Sequence, residues 1–143
     1  MIKAFKVLNV FSTLLFAATL LLVYAYLPIS IDLNIEGFSQ MHKQTFFYQV
    51  LIAFIVANTL LRLIINLGFK KWEGLPKAWL TLLIFIVNFY FTLIVGFIGV
   101  WNNSTHVAPE GYAFLNYIGP VFLIIWAAGL IFLVFRKGLK LAQ

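Results

Sequence analysis

Four apolar stretches limit what this chain can fold into. Each is close to the roughly 20 residues that a helix needs to cross about 30 Å of hydrocarbon. They run from about Phe5 to Leu27, Thr45 to Leu67, Ala78 to Trp101 and Tyr117 to Phe135. All are apolar around most of the circumference, and none shows the two-residue alternation of a barrel strand. The expected fold is therefore an all-α membrane protein, a four-transmembrane-helix bundle forming one domain over residues 1–143.

Composition closes the soluble route. The chain is 64% hydrophobic and 10% charged, with a mean hydropathy of +1.03, whereas a soluble domain carries about 25% charged residues. A fold of 143 residues in water has too little interior to hide that much apolar surface. The net charge of +6 would suggest nucleic-acid binding in a soluble protein. Here the charges sit in short connections and read as topology signals, so no nucleic-acid partner is expected. There is no cysteine, which excludes disulfides, thiolate chemistry and cysteine-ligated metals. The first stretch follows Lys3 and Lys6 like a signal peptide, but it is longer than a signal core and lacks a small-x-small cleavage site before Pro28. It is expected to stay as a helix.

The basic residues set an orientation. Lys3, Lys6, Arg62, Lys70, Lys71, Lys77, Arg136, Lys137 and Lys140 fall on one side, and only Lys43 falls on the other. The positive-inside rule then puts both termini and the basic connection GFKKWEGLPK in the cytoplasm of a plasma (inner) membrane protein. Trp72, Trp79, Trp101, Tyr24, Tyr26, Tyr48 and Tyr117 lie at the expected span ends, where aromatic rings favour the headgroup zone. Trp126 lies within the fourth span and is expected to pack on a neighbouring helix or lipid.

At an offset of 74 residues the two halves align without a gap. Lys3-Ala4-Phe5 falls on Lys77-Ala78-Trp79, Glu36-Gly37-Phe38 on Glu110-Gly111-Tyr112, and Arg62 on Arg136. This suggests two related hairpins, 1–74 and 75–143, as a parallel repeat. Glu36-Gly37 and Glu110-Gly111 are expected to be turn motifs of the outer loops, since glycine tolerates positive φ.

No Asp, Glu, Lys or His falls deep within a span, which counts against proton relays and ion-coupled transport. Arg62 lies about 8 Å from the end of the second span and can snorkel to headgroups or meet a partner or lipid. Asn58 and Asn88 both fall about 14–15 Å from the same edge. The short loop between their helices makes these antiparallel neighbours, so an interhelical contact between the two asparagines is expected. Ala53 with Ala57, and Gly96 with Gly99, offer small faces for close helix approach. Pro120 is read as a first-turn residue of the fourth helix, where its missing N–H is harmless.

No catalytic constellation stands out. His42 and His106 are confined to the outer loops with Asp32, Glu36 and Glu110, without tight metal-ligand spacing. There is no phosphate-binding glycine loop and no HExxH. With neither histidine in a span, histidine ligation of haem inside the bundle has no candidates. No cofactor, metal or catalytic residue is expected.

Leu27-Pro28, Ile31, Asn34-x-x-Gly37 and Lys43-x-Thr45-Phe46-Phe47 resemble a bacterial membrane family that includes immunity proteins of the Sdp toxin type and many uncharacterised proteins. The family pattern runs Leu-Pro-x-x-Ile/Val-Pro-x-His-aromatic-Asn-x-x-Gly. In this chain the loop is two residues shorter, and Asp32-Leu33 stands near the place of the Pro-x-His portion. The resemblance implies a bacterial plasma membrane and little about activity. The expected function is that of a small non-catalytic membrane protein, an accessory or assembly subunit of a larger complex. Its expected partners are the lipid bilayer and other membrane subunits. The alternative is a small transporter, channel or toxin-immunity protein.

Overall fold

The structure, a computed structural model, describes residues 2–33, 40–103 and 108–141. Four helices carry nearly all of it: α1 (Ile2–Tyr26), α2 (Lys43–Leu63), α3 (Gly74–Trp101) and α4 (Leu115–Leu141). All four are long and apolar enough to cross a membrane. In an apolar surrounding such sequences close into helices, because the backbone finds no other partner there for its amides and carbonyls.

α3 is the axis of the molecule. From Pro76 to Asn102 none of its residues is exposed, and α1 and α4 lie along it. Contacts from α1 climb in step with α3: Asn9 meets Thr81, Ser12 meets Asn88, Phe16 meets Phe91 and Asp32 meets Asn102. The two helices therefore run parallel. α2 runs antiparallel to α3, with Phe54 against Phe91 and Asn58 against Asn88. α4 is also antiparallel, with Phe122 near Phe89 and Trp126 beside Trp79. We call the end that carries Lys3, Lys6, Lys70, Lys71 and Arg136 the basic end.

α1 buries a single stripe: Asn9, Ser12, Phe16, Leu20, Val23 and Leu27. The steps of three and four are those of one helical face. Its apolar part joins Ile31, Phe46, Phe54 and Val95 in the larger core cluster. At its centre Phe16 and Phe54 stack at 3.8 Å, and Phe91 meets both edge-on. A smaller cluster of Ile65, Leu80 and Ile84 lies toward the basic end.

The end opposite the basic one is tied by short-range geometry. Two-residue strands β1 (Ser30–Ile31) and β2 (Met41–His42) pair antiparallel, and His42 then caps α2 by accepting the Gln44 amide on Nδ1. The Asn102 side chain takes the Asp32 amide at 2.7 Å and donates to the Asp32 carbonyl at 2.8 Å, fastening this loop to α3.

The helices exceed their expected bounds at several ends. α4 starts at Leu115, so Pro120 is an internal helix residue and not a first-turn one. It removes the donor that the carbonyl of Asn116 would otherwise receive. α2 leaves the α form at Ile64 and ends in one π-helical turn, Ile64–Gly68. Glu110-Gly111 does lie in a turn, the 3-10 segment Pro109–Tyr112, but Gly111 does not take positive φ there. Instead Gly74, at φ 65, opens α3. Glu36, Gly37 and His106 lie outside the described residues.

Candidate functional site

A polar seam crosses α1, α2 and α3 between the two apolar clusters. Asn88, fully buried, is its node. Its Oδ1 accepts from Asn58 Nδ2 at 2.8 Å, and its Nδ2 donates to Ser12 Oγ at 3.0 Å and Thr13 Oγ1 at 3.3 Å. Both hydroxyls in turn donate to the Asn9 carbonyl, at 2.9 and 2.8 Å. Asn9 Nδ2 continues to the Thr81 carbonyl at 3.2 Å, returning the seam to α3. The structure thus brings together Asn58 and Asn88. It also adds three residues that the sequence reading missed: Asn9, Ser12 and Thr13. Their spacing on the face that continues through Phe16 and Leu20 was the available signal.

Among the described residues two acceptors in the seam have no donor, Asn9 Oδ1 and Asn58 Oδ1. Asn58 spends its amide on Asn88 and on the Phe54 carbonyl of its own helix. On the far side, the stacked rings of Phe16 and Phe54 cover the node with apolar surface.

Toward the basic end the seam meets a cavity of about 620 Å³. Lys6 and Asn9 of α1, Arg62 of α2, and Lys77 and Thr81 of α3 line it, together with Glu73, Gly74 and the π-turn residues Ile65 and Asn66. Arg62, the expected lipid or partner contact, is exposed and lines this cavity. Among the described residues no ion pair links its charged groups. The lining ends at Asn9, Thr81 and Ile84 and does not include Asn58 or Asn88.

α3 and α4 are joined differently. Trp79 Nε1 donates to the Trp126 carbonyl at 2.9 Å, and Trp126 Nε1 donates to the Trp79 carbonyl at 2.8 Å. Trp79 therefore spends its N–H on the backbone of α4. Two glycines of α4 make the approach possible. A Cβ on Gly129 would lie 2.4 Å from the Trp79 ring, and one on Gly119 would lie 2.0 Å from the Tyr90 ring. Of the small faces expected from sequence, Gly99 packs on Val23, Gly96 meets nothing within 4 Å, and Ala53 is exposed.

Comparison of the chain with family models, curated proteins and solved structures gives no match.

Proposed function

We propose that this chain is a non-catalytic integral membrane protein, both termini cytoplasmic, that acts by contact as an accessory or assembly subunit of a larger membrane complex. The orientation rests on the nine-to-one split of basic residues. The observation that carries the subunit reading is the outer face of α2. Ala53 is exposed and Ala57 half-buried, flanked by exposed Ile52, Ile55, Val56 and Leu60. Small residues within an apolar helix face let a second helix approach closely, the main source of helix association where lipid removes the hydrophobic drive. The two-hairpin repeat belongs to the same reading. α1 and α3 run parallel, as two hairpins starting on one side do, although α4 packs along α3 far more extensively than α2 packs on α1.

A transport reading is favoured by the cavity at the basic end. It needs that cavity to reach the midplane asparagines, and the lining stops at Asn9. Purification of the tagged chain in mild detergent, followed by mass spectrometry, should recover stoichiometric membrane partners, and Ala53→Leu or Ala57→Leu should release them. Recovery as a lone monomer that carries solute flux in liposomes would overturn the subunit reading in favour of transport.

A further inference from the structure

The basic cavity is built by three elements that are distant in sequence, and each brings a cation to it: Lys6 from α1, Arg62 from α2 and Lys77 from α3. None of them is paired with Glu73, the one acid in the lining, among the described residues. Three like charges around one space repel one another, and an anion placed among them relieves that repulsion. The backbone contributes with the same sign. α3 starts at the cavity wall with Gly74 in the left-handed region; its N-cap residue, Glu73, makes no side-chain capping bond, and Pro76 removes one of the first-turn amides. The first amides of a helix lack intrahelical acceptors and carry the positive end of its dipole. The π-helical turn of α2 brings Ile65 and Asn66 into the wall, and such turns recur at binding sites.

The rim has the opposite requirement: Glu73, the N-cap residue of α3, is exposed there and offers a carboxylate acceptor. A bare inorganic anion would answer the cations and leave this acceptor unserved. We propose that the cavity binds a phosphate ester carrying a free hydroxyl, of the glycerol phosphate type, presented either as a phospholipid headgroup or in solution. The guanidinium of Arg62 offers the planar fork that suits phosphate oxygens, Lys6 and Lys77 add point charges, and the hydroxyl donates to the Glu73 carboxylate. A volume of about 620 Å³ falls within the range of small-ligand sites and exceeds the need of phosphate alone. This inference does not depend on the subunit reading.

The test uses the full chain in phosphatidylcholine nanodiscs or neutral detergent, with intrinsic tryptophan fluorescence following thermal unfolding. Short-chain phosphatidylglycerol, glycerol 3-phosphate and inorganic phosphate are titrated separately. Stabilisation by the lipid alone assigns a headgroup, and stabilisation by glycerol 3-phosphate as well assigns the soluble ester. Either supports the site, provided that inorganic phosphate is weaker. The triple variant Lys6→Gln/Arg62→Gln/Lys77→Gln should weaken binding by about tenfold or more. The triple variant Lys3→Gln/Lys70→Gln/Lys71→Gln removes the same charge away from the cavity and should leave binding unchanged. Single Lys6→Gln and Arg62→Gln variants, at exposed side chains, keep the comparison valid should the triple variant lose helicity by circular dichroism. Equal loss in both triple variants, no ligand effect, or phosphate binding as tightly as its ester would overturn the proposal.

Discussion

Replacing Asn88 by leucine separates a hydrogen-bonded node from a polar residue that merely occupies space. The side chain is fully buried and makes three interhelical bonds, to Asn58, Ser12 and Thr13. Such bonds average about 0.6 kcal/mol each in membrane proteins, so Asn88→Leu should cost about 2 kcal/mol, more than tenfold in the unfolding equilibrium. Leucine has the branching of asparagine, so no cavity forms, but its bulkier methyl groups add an overpacking cost at this fully buried site to the loss of the bonds. Asn58→Leu removes one interhelical bond and one bond within its own helix, and it relieves the burial of an unpartnered Oδ1. Its cost should be about 0.6 kcal/mol or less. Unfolding in mixed detergent micelles with rising sodium dodecyl sulfate, followed by tryptophan fluorescence, measures both, and the double variant gives their coupling. A cost for Asn58→Leu equal to that for Asn88→Leu, or no cost for either, would refute the node.

Three further outcomes follow from the geometry. Gly129→Ala and Gly119→Ala should each force α4 off α3, costing about 1–3 kcal/mol as overpacking does, whereas Gly96→Ala should be silent, because its added Cβ meets nothing within 4 Å. The same unfolding assay, with cysteine cross-linking between α3 and α4, reads both. Trp79→Phe and Trp126→Phe each remove one indole donor and should cost about 0.6 kcal/mol, up to about 1.7. In each variant the remaining indole should keep its bond, visible as a retained tryptophan emission maximum once Trp72 and Trp101 are also replaced by phenylalanine. Since the chain has no cysteine, Lys70→Cys and Ser30→Cys report topology cleanly in intact cells. An impermeant maleimide should label the second and spare the first, and the reverse would overturn the orientation proposed from the basic residues.

The four helices were legible because apolar length is a property of the sequence itself. The depth of Asn58 and Asn88 was legible for a related reason: in a straight helix, residue number converts directly into height. The azimuth of a residue is not given in that way. Asn9, Ser12 and Thr13 sit close to the basic start of α1, where a few polar residues raise no alarm, and only the continuation of their face through Phe16 and Leu20 marks them as interior. Gly119 and Gly129 were opaque for a different reason. What a glycine faces depends on the register and crossing of two helices, and here it is set by the Tyr90 and Trp79 rings on α3. Asn102 reads from sequence as a loop-start residue. Its bonds to Asp32 join positions 70 apart, a pairing that no local pattern announces.

The two kinds of helix contact divide the molecule unequally. α1, α2 and α3 share a polar seam whose members donate to one another across all three helices. Separating them strands amides and hydroxyls in apolar surroundings, so these three helices resist parting as a unit. Among the described residues α4 shares no part of that seam and is held on α3 by a pair of indole bonds and by two glycines that admit aromatic rings. Its own helix remains internally bonded if it leaves, and an apolar helix can face lipid as readily as protein. The order of loss on adding denaturing detergent should therefore be α4 first, with cross-links between α3 and α4 disappearing before those between α1 and α3. A single simultaneous loss of both cross-links would show that the seam does not set the hierarchy.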